Sequence, residues 1–325
     1  MTVFITRKLP DELLQPFREA GIGYTQWPEQ YKIPQDELIH HCKQHDAVLG
    51  AGGIVMNADF LNACSHLRVI ALMSVGYDNV DIATATRLGI PVSNTPGVLS
   101  KATAETAFLL MIAAARKAFY LHRKIVQGSW HTFDPFADLG IGLEGATLGI
   151  FGLGSIGYEM AKRCKAAYDM AIIYHNRSTN KKAEEELGAK SVSFEELLQQ
   201  SDVLSIHAAL TAETRGKFNK TAFSQMKKNA IFINTARGAM HNEQDLTTAI
   251  QEGTIWGAGL DVTNPEPMDK NNPLLYLPTV AVLPHIGSAT VKTRYAMARL
   301  AVNNAIAGLH GQHLPQIVNK EVYER

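Results

Sequence analysis

Phe151-Gly152-Leu153-Gly154-Ser155-Ile156-Gly157 is the stretch that decides the fold. It follows a short apolar run, Thr147-Leu-Gly-Ile-Phe151, and opens a helix-period segment from Ser155 to Ala167. The three glycines therefore stand at a strand-to-helix turn, where each has a physical task. Gly152 permits the tight turn, Gly154 lets backbone N–H groups approach a pyrophosphate, and Gly157 lets the helix pack closely on the strand. The helix N-terminus, with Ser155 and Ile156 in its first turn, adds its own attraction for an anion.

Reading outward from this turn, short Val- and Ile-rich runs alternate with helical stretches on both sides, the pattern of repeated βα units around parallel sheets. Towards the C-terminus the strands are predicted at Thr147–Phe151, Ala171–Tyr174, Val203–Ile206, Ala230–Asn234, Gly257–Asp261 and Val280–Leu283, six in all and enough for a doubly wound sheet. Towards the N-terminus, Val3–Thr6, Ala47–Gly50, Val69–Leu72 and Pro91–Ser93 read as the strands of a separate sheet. Between the two series a helix is predicted from about Ala102 to Ala118; it is apolar all round, as buried helices are. A long helix over Thr290–Gly308 could return to the first sheet, which would make that domain discontinuous.

Composition sets the outer limits. With 325 residues, 46% hydrophobic and 19% charged, the chain has the length for two domains and the apolar content for their cores, which excludes a disordered or collagen-like protein. Lys plus Arg (31) equals Asp plus Glu (31), so no net field draws in nucleic acid or an anionic membrane, and neither is expected as a partner. Cys42, Cys64 and Cys164 lack Cys-x-x-Cys spacing and read as unpaired thiols. The first ten residues place their positive charges after a very short apolar run, the reverse of a secretory signal, so a cytoplasmic location is expected. His40, His41 and His45 read as a solvated helix face rather than a metal site, and no metal is expected elsewhere.

At the end of the second strand of a dinucleotide unit, an Asp or Glu about 20 residues past the glycines usually accepts the ribose hydroxyls of NAD. Here the chain reads His175-Asn176-Arg177-Ser178, without a carboxylate. Arg177 can grip a 2′-phosphate by charge-assisted hydrogen bonds, and Ser178 or Asn176 can add neutral ones, so NADPH is expected as the cofactor, with NADH the alternative.

Further strand ends carry Asn234-Thr-Ala-Arg237-Gly238, Gly259-Leu-Asp261, Asn264-Pro-Glu266-Pro267 and Leu283-Pro-His285-Ile-Gly-Ser288. Together with the glycine loop, and with Leu72-Met-Ser-Val75-Gly76-Tyr-Asp-Asn-Val-Asp81 and Gly89-Ile-Pro-Val-Ser-Asn-Thr-Pro96, these strings resemble the D-2-hydroxyacid dehydrogenase family over essentially the whole chain. Within it they look most like the glyoxylate/hydroxypyruvate reductases and their 2-ketogluconate reductase relatives. The resemblance implies an α/β protein of two doubly wound parallel-sheet domains: a Rossmann dinucleotide-binding domain over 99–288 and a discontinuous, flavodoxin-like substrate domain from 1–98 and 289–325.

It also implies roles. Arg237 would anchor the carboxylate of a 2-oxo acid, helped by the backbone N–H groups of Val75 and Gly76; His285 would be the acid/base, and Glu266 would tune it. Beside the glycine loop and residues 175–178, the cofactor would meet Ala208, Thr235, Ala236, Asp261, His285 and Ser288. A homodimer through the dinucleotide domain is implied as well. The alternatives are an NAD-dependent D-lactate or phosphoglycerate-type dehydrogenase and, behind it, a dinucleotide-sensing corepressor-like binding protein. Ala208-Ala209-Leu210-Thr211-Ala212 departs from the family's commoner Pro-Leu-Thr-Pro, which alters loop stiffness without removing a catalytic group.

Overall fold

The computed structural model describes residues Met1–Glu324 and divides into two compact units, residues 1–99 with the segment from 290 onward, and residues 100–289. Unit one begins β1 (Thr2–Ile5), α1 (Asp11–Glu19), β2 (Gly23–Gln26), α2 (Gln35–Cys42), β3 (Ala47–Gly50), α3 (Ala58–Ala63), β4 (Val69–Leu72), α4 (Ile82–Arg87) and β5 (Val92–Ser93). Unit two runs α5 (Ser100–Ala115), α6 (Ala118–Val126), β6 (Thr147–Phe151), α7 (Ser155–Tyr168), β7 (Ala171–His175), α8 (Lys181–Leu187), β8 (Lys190–Ser191) and α9 (Phe194–Gln200). It continues with β9 (Val203–Ile206), α10 (Lys220–Ser224), β10 (Ile231–Asn234), α11 (Glu243–Gln251), β11 (Gly257–Leu260) and β12 (Val280–Val282). A last helix, α12 (Val291–Leu309), belongs to unit one.

Every strand pair is parallel, and the orders are β2-β1-β3-β4-β5 in unit one and β12-β11-β10-β9-β6-β7-β8 in unit two. Parallel sheets need helices on both faces, and their strands are accordingly buried along their length and mainly apolar: Ile231–Asn234 and Val203–Ile206 are buried at every position. In unit two the order reverses at β6, so the glycine loop leaves the sheet at its topological switch point, where ligands of such sheets bind. In unit one α12, capped at its start by the Thr290 hydroxyl, lies against β3, β4 and α1. Gly308 permits that approach, since a Cβ there would stand 2.5 Å from Cβ of Val69. Among the described residues no helix is long and apolar enough to cross a membrane.

Three expectations need correction. Each sheet has one strand more than its sequence run suggested: β2 is an edge strand of mixed burial and β8 a two-residue edge strand, so neither carries an apolar signature. The apolar helix expected to run to Ala118 stops at Ala115, and a second helix starts at Ala118. Ala115 ends α5 because its carbonyl accepts from Ile141 N–H at 3.0 Å, a partner distant in sequence, and Lys117 adopts a left-handed φ of 54° before α6 starts. His40, His41 and His45 are not a uniformly solvated face: the His41 ring stacks on Phe4 at 4.6 Å, and His45 is buried with its ring nitrogens on the His41 carbonyl and the Thr25 hydroxyl.

Candidate active site

Because all seven strands of the unit-two sheet are parallel, the residues singled out in that unit emerge at one edge of it. The loop after β6 carries the glycines. Gly152 has φ 95°, and a Cβ there would lie 2.4 Å from the backbone nitrogen of Ala208, so only glycine fits. Gly157 touches the strand in the expected way: a Cβ would meet the Gly152 carbonyl at 2.9 Å and Ile150 at 3.0 Å. Around Gly154, by contrast, a Cβ would meet nothing within 4 Å, and no side chain caps α7. The open space and the uncapped N–H groups of Ser155, Ile156 and Gly157 suit a pyrophosphate, so the loop passes the test of fit for a dinucleotide.

The loop after β7 holds residues of two kinds. Arg177 and Ser178 are exposed. The His175 ring stacks on Phe151 and places Nδ1 3.0 Å from the Val192 carbonyl, so Nδ1 carries the donated proton. Asn176, expected to add a neutral hydrogen bond to a 2′-phosphate, has its amide turned to the backbone of Leu153 instead. Ala208, after β9, packs beside the cluster that contains Phe151 and Phe218.

The loop after β10 is organised by Asn234, fully buried and not singled out from sequence. Its Oδ1 accepts from Ala236 N–H at 2.9 Å, and its Nδ2 donates to the Arg237 carbonyl at 2.9 Å and towards His241 Nδ1 at 3.0 Å. Thr235, Ala236 and Arg237 are thereby fixed in one turn. Arg237 is half-buried, with one guanidinium nitrogen on the Ala236 carbonyl at 2.8 Å. Gly238 must be glycine because a Cβ would fall 2.0 Å from the Thr263 carbonyl oxygen. His241 is 2% exposed and its Nε2 has no partner; burial pushes its pKa down to about 4. His207, whose Nε2 lies 2.9 Å from the Ser205 hydroxyl, is likewise pushed down to about 3 by burial. Both rings are neutral at physiological pH.

His285 lies beyond β12 with φ 53°, a left-handed conformation that costs a non-glycine residue free energy and needs outside support. Asp261 supplies that support from the end of β11. Its carbonyl accepts the His285 N–H at 2.9 Å, and its carboxylate accepts the next two, Ile286 N–H at 2.8 Å and Gly287 N–H at 2.7 Å. Burial raises the Asp261 pKa, and the two N–H groups pull it back. The His285 ring then meets Glu266: Nδ1 stands 3.0 and 3.1 Å from the two carboxylate oxygens. Nδ1 carries the hydrogen in that arrangement, which leaves Nε2 as the nitrogen for chemistry. Ser288 follows, half-buried.

Val75 and Gly76 belong to unit one, in the loop after β4. The Ser74 hydroxyl donates to the Gly76 carbonyl at 2.7 Å and Asn94 Nδ2 to the Val75 carbonyl at 2.8 Å, while among the described residues nothing accepts from the N–H of either. Two fixed, unengaged N–H groups in sequence are what a carboxylate needs.

A family model for the D-isomer specific 2-hydroxyacid dehydrogenase NAD-binding domain matches residues 108–287. The glyoxylate reductase of Aeropyrum pernix is 41% identical over 98% of this chain and 96% of its own. Among solved structures, a glyoxylate reductase from Paecilomyes thermophila superimposes with TM-score 0.87 at 33% identity, covering 99% of both chains. An NADPH-dependent glyoxylate/hydroxypyruvate reductase from Sinorhizobium meliloti, solved with NADP and malonate, does so with TM-score 0.83 at 30% identity, covering 98% of this chain and 97% of its own. With the glycine loop at the switch point and the Arg237, Glu266 and His285 loops at the same sheet edge, these likenesses place the chain in the D-isomer specific 2-hydroxyacid dehydrogenase family.

Proposed function

We propose that this chain reduces small 2-oxo acids, glyoxylate and hydroxypyruvate foremost, to D-2-hydroxy acids with NADPH preferred over NADH. The observation that carries the reading is the His285–Glu266 pair: a ring whose Nδ1–H is held by two carboxylate oxygens is fixed in orientation and presents Nε2 for proton transfer. When bound, the nicotinamide cofactor supplies the hydride; Gly152, Gly154, Ser155, Ile156 and Gly157 would hold its pyrophosphate, and Arg177 with Ser178 its 2′-phosphate. The chain's own residues do the rest. Arg237 holds the planar carboxylate by a two-pronged contact that lysine could not make, and its charge polarises the adjacent carbonyl. His285 protonates the oxygen as negative charge develops on it, and Glu266 holds the ring in the orientation for that transfer.

The reading is tested by following dinucleotide oxidation with glyoxylate, hydroxypyruvate, pyruvate, phenylpyruvate and 2-ketogluconate under both cofactors. Turnover with glyoxylate or hydroxypyruvate and NADPH is expected; binding without turnover of any of the five would overturn it. Arg237→Ala should lower kcat/KM at least tenfold while dinucleotide affinity is kept, because a charge-assisted pair is worth about 1.5–3 kcal/mol. Unchanged kcat/KM would remove Arg237 from the mechanism.

The same reading includes a homodimer through unit two. Between residues 125 and 139, Ile125, Val126, Trp130, Phe133, Phe136 and Leu139 are all exposed, Phe133 and Phe136 by 80% and 82%. So many large apolar side chains in one segment mark a surface that a partner covers. A monomer by sedimentation at micromolar concentration would contradict it.

A further inference from the structure

The middle residue of the dinucleotide loop, Leu153, is gripped by side chains from the loop after the next strand. Its N–H donates to Asn176 Oδ1 at 2.6 Å, and its carbonyl accepts from Asn176 Nδ2 at 3.2 Å and from Asn180 Nδ2 at 2.9 Å. An amide is the side chain that can accept from an N–H and donate to a C=O at one residue, so Asn176 fits Leu153 as a strand neighbour would. Asn180 is itself braced. Its N–H donates to the Tyr174 hydroxyl at 2.9 Å, that hydroxyl donates to Glu184 at 2.7 Å, and its Oδ1 caps α8 through Ala183 N–H at 3.1 Å. On the other side, Gly152 N–H is tied to the His175 carbonyl at 3.1 Å, so both arms of the glycine turn hang from the end of β7.

We propose that Asn176 and Asn180 are positioning residues that hold the Gly152-Leu153-Gly154 turn in the shape that receives a pyrophosphate. Position 176 thereby sets the affinity common to NADH and NADPH, while Arg177 beside it sets the difference between them. The inference rests on a dinucleotide occupying the loop, and its second half on the NADPH preference proposed above. Asp at 176 could keep only the bond from Leu153 N–H; it would lose the donor and bring a negative charge towards the phosphates.

The test is binding, read by isothermal titration of the full chain with NADPH and with NADH. Asn176→Ala should weaken both by a similar factor, on the order of tenfold, with their ratio kept within about twofold; Asn176→Asp should weaken both further. Asn180→Ser keeps a capping hydroxyl for α8 and removes only the donor to Leu153, so it should give a smaller common loss with an unchanged circular dichroism spectrum. Loss of NADPH affinity alone in Asn176→Ala would mean that the amide touches the 2′-phosphate, and no loss with either dinucleotide would mean that the loop holds itself; either result overturns the proposal. Arg177→Ala separates the two readings. If it leaves the NADPH to NADH ratio unchanged, the cofactor preference falls, while a common loss in Asn176→Ala still establishes the clamp.

Discussion

His285 and His241 carry the same ring in opposite settings of one unit. His285 is exposed on a left-handed turn, and its Nδ1 lies against both oxygens of Glu266. His241 is buried against Phe232, accepts from Asn234 through Nδ1 and leaves Nε2 without a partner. In the first setting a carboxylate fixes a solvent-accessible ring; in the second, burial excludes the charged form and the neutral ring acts as a fixed acceptor. The ring proposed as the acid thus differs from the structural one in its carboxylate neighbour and its access to solvent.

Removing the active member of the pair should have the largest effect. His285→Ala should lower kcat for reduction about a hundredfold or more, with NADPH affinity largely kept. Loss of dinucleotide affinity equal to the loss of rate would mean that the ring serves binding and that the contrast with His241 is misdrawn.

The exposed-against-engaged contrast extends to the end of β7, where Arg177 is solvent-facing and Asn176 is turned inward. NADPH should be preferred about ten- to a hundredfold in kcat/KM, and Arg177→Ala should erase most of that while leaving NADH use nearly unchanged. Equal use of both cofactors by the unmodified protein would mean that the adenosine ribose is held by other groups.

Protonation of the buried ring sharpens the comparison from its other side. The His241 pKa falls from 6.5 to about 4, so the folded state binds its proton less readily than the unfolded state does. Its contribution to stability is therefore complete above pH 6.5 and is lost as pH falls towards about 4. Between pH 7 and pH 4.5 that loss is about 2 kcal/mol, and His241→Val should remove it, flattening the fall in unfolding free energy measured by urea titration across that range. An equally steep fall in the variant would show that other groups govern acid unfolding.

Much of this was legible in the chain. The glycine turn could be read because Gly152 and Gly157 meet backbone and side-chain atoms at distances no other residue tolerates, and the buried strands because both faces of a parallel sheet are covered. Arg237, Glu266 and His285 stood out as polar groups at strand ends. What escaped was set by contacts far apart in sequence. Nothing near Ala115 announces that Ile141 will take its carbonyl, and Asn176 differs from a cofactor-facing amide only in which way it turns. Asn234 carried a faint signal, an amide closing an apolar strand, but its hold on Ala236, Arg237 and His241 appears only once the turn is folded.

The central claim is that Glu266 holds His285 for proton transfer, and the kinetics of reduction by Glu266→Gln test it most directly. Gln keeps the size of the side chain but replaces the two carboxylate oxygens that accept from the ring's Nδ1–H, so kcat should fall by about tenfold or more while NADPH affinity is kept. A kcat equal to that of the unmodified protein would contradict the claim, since the two residues would then touch without being coupled.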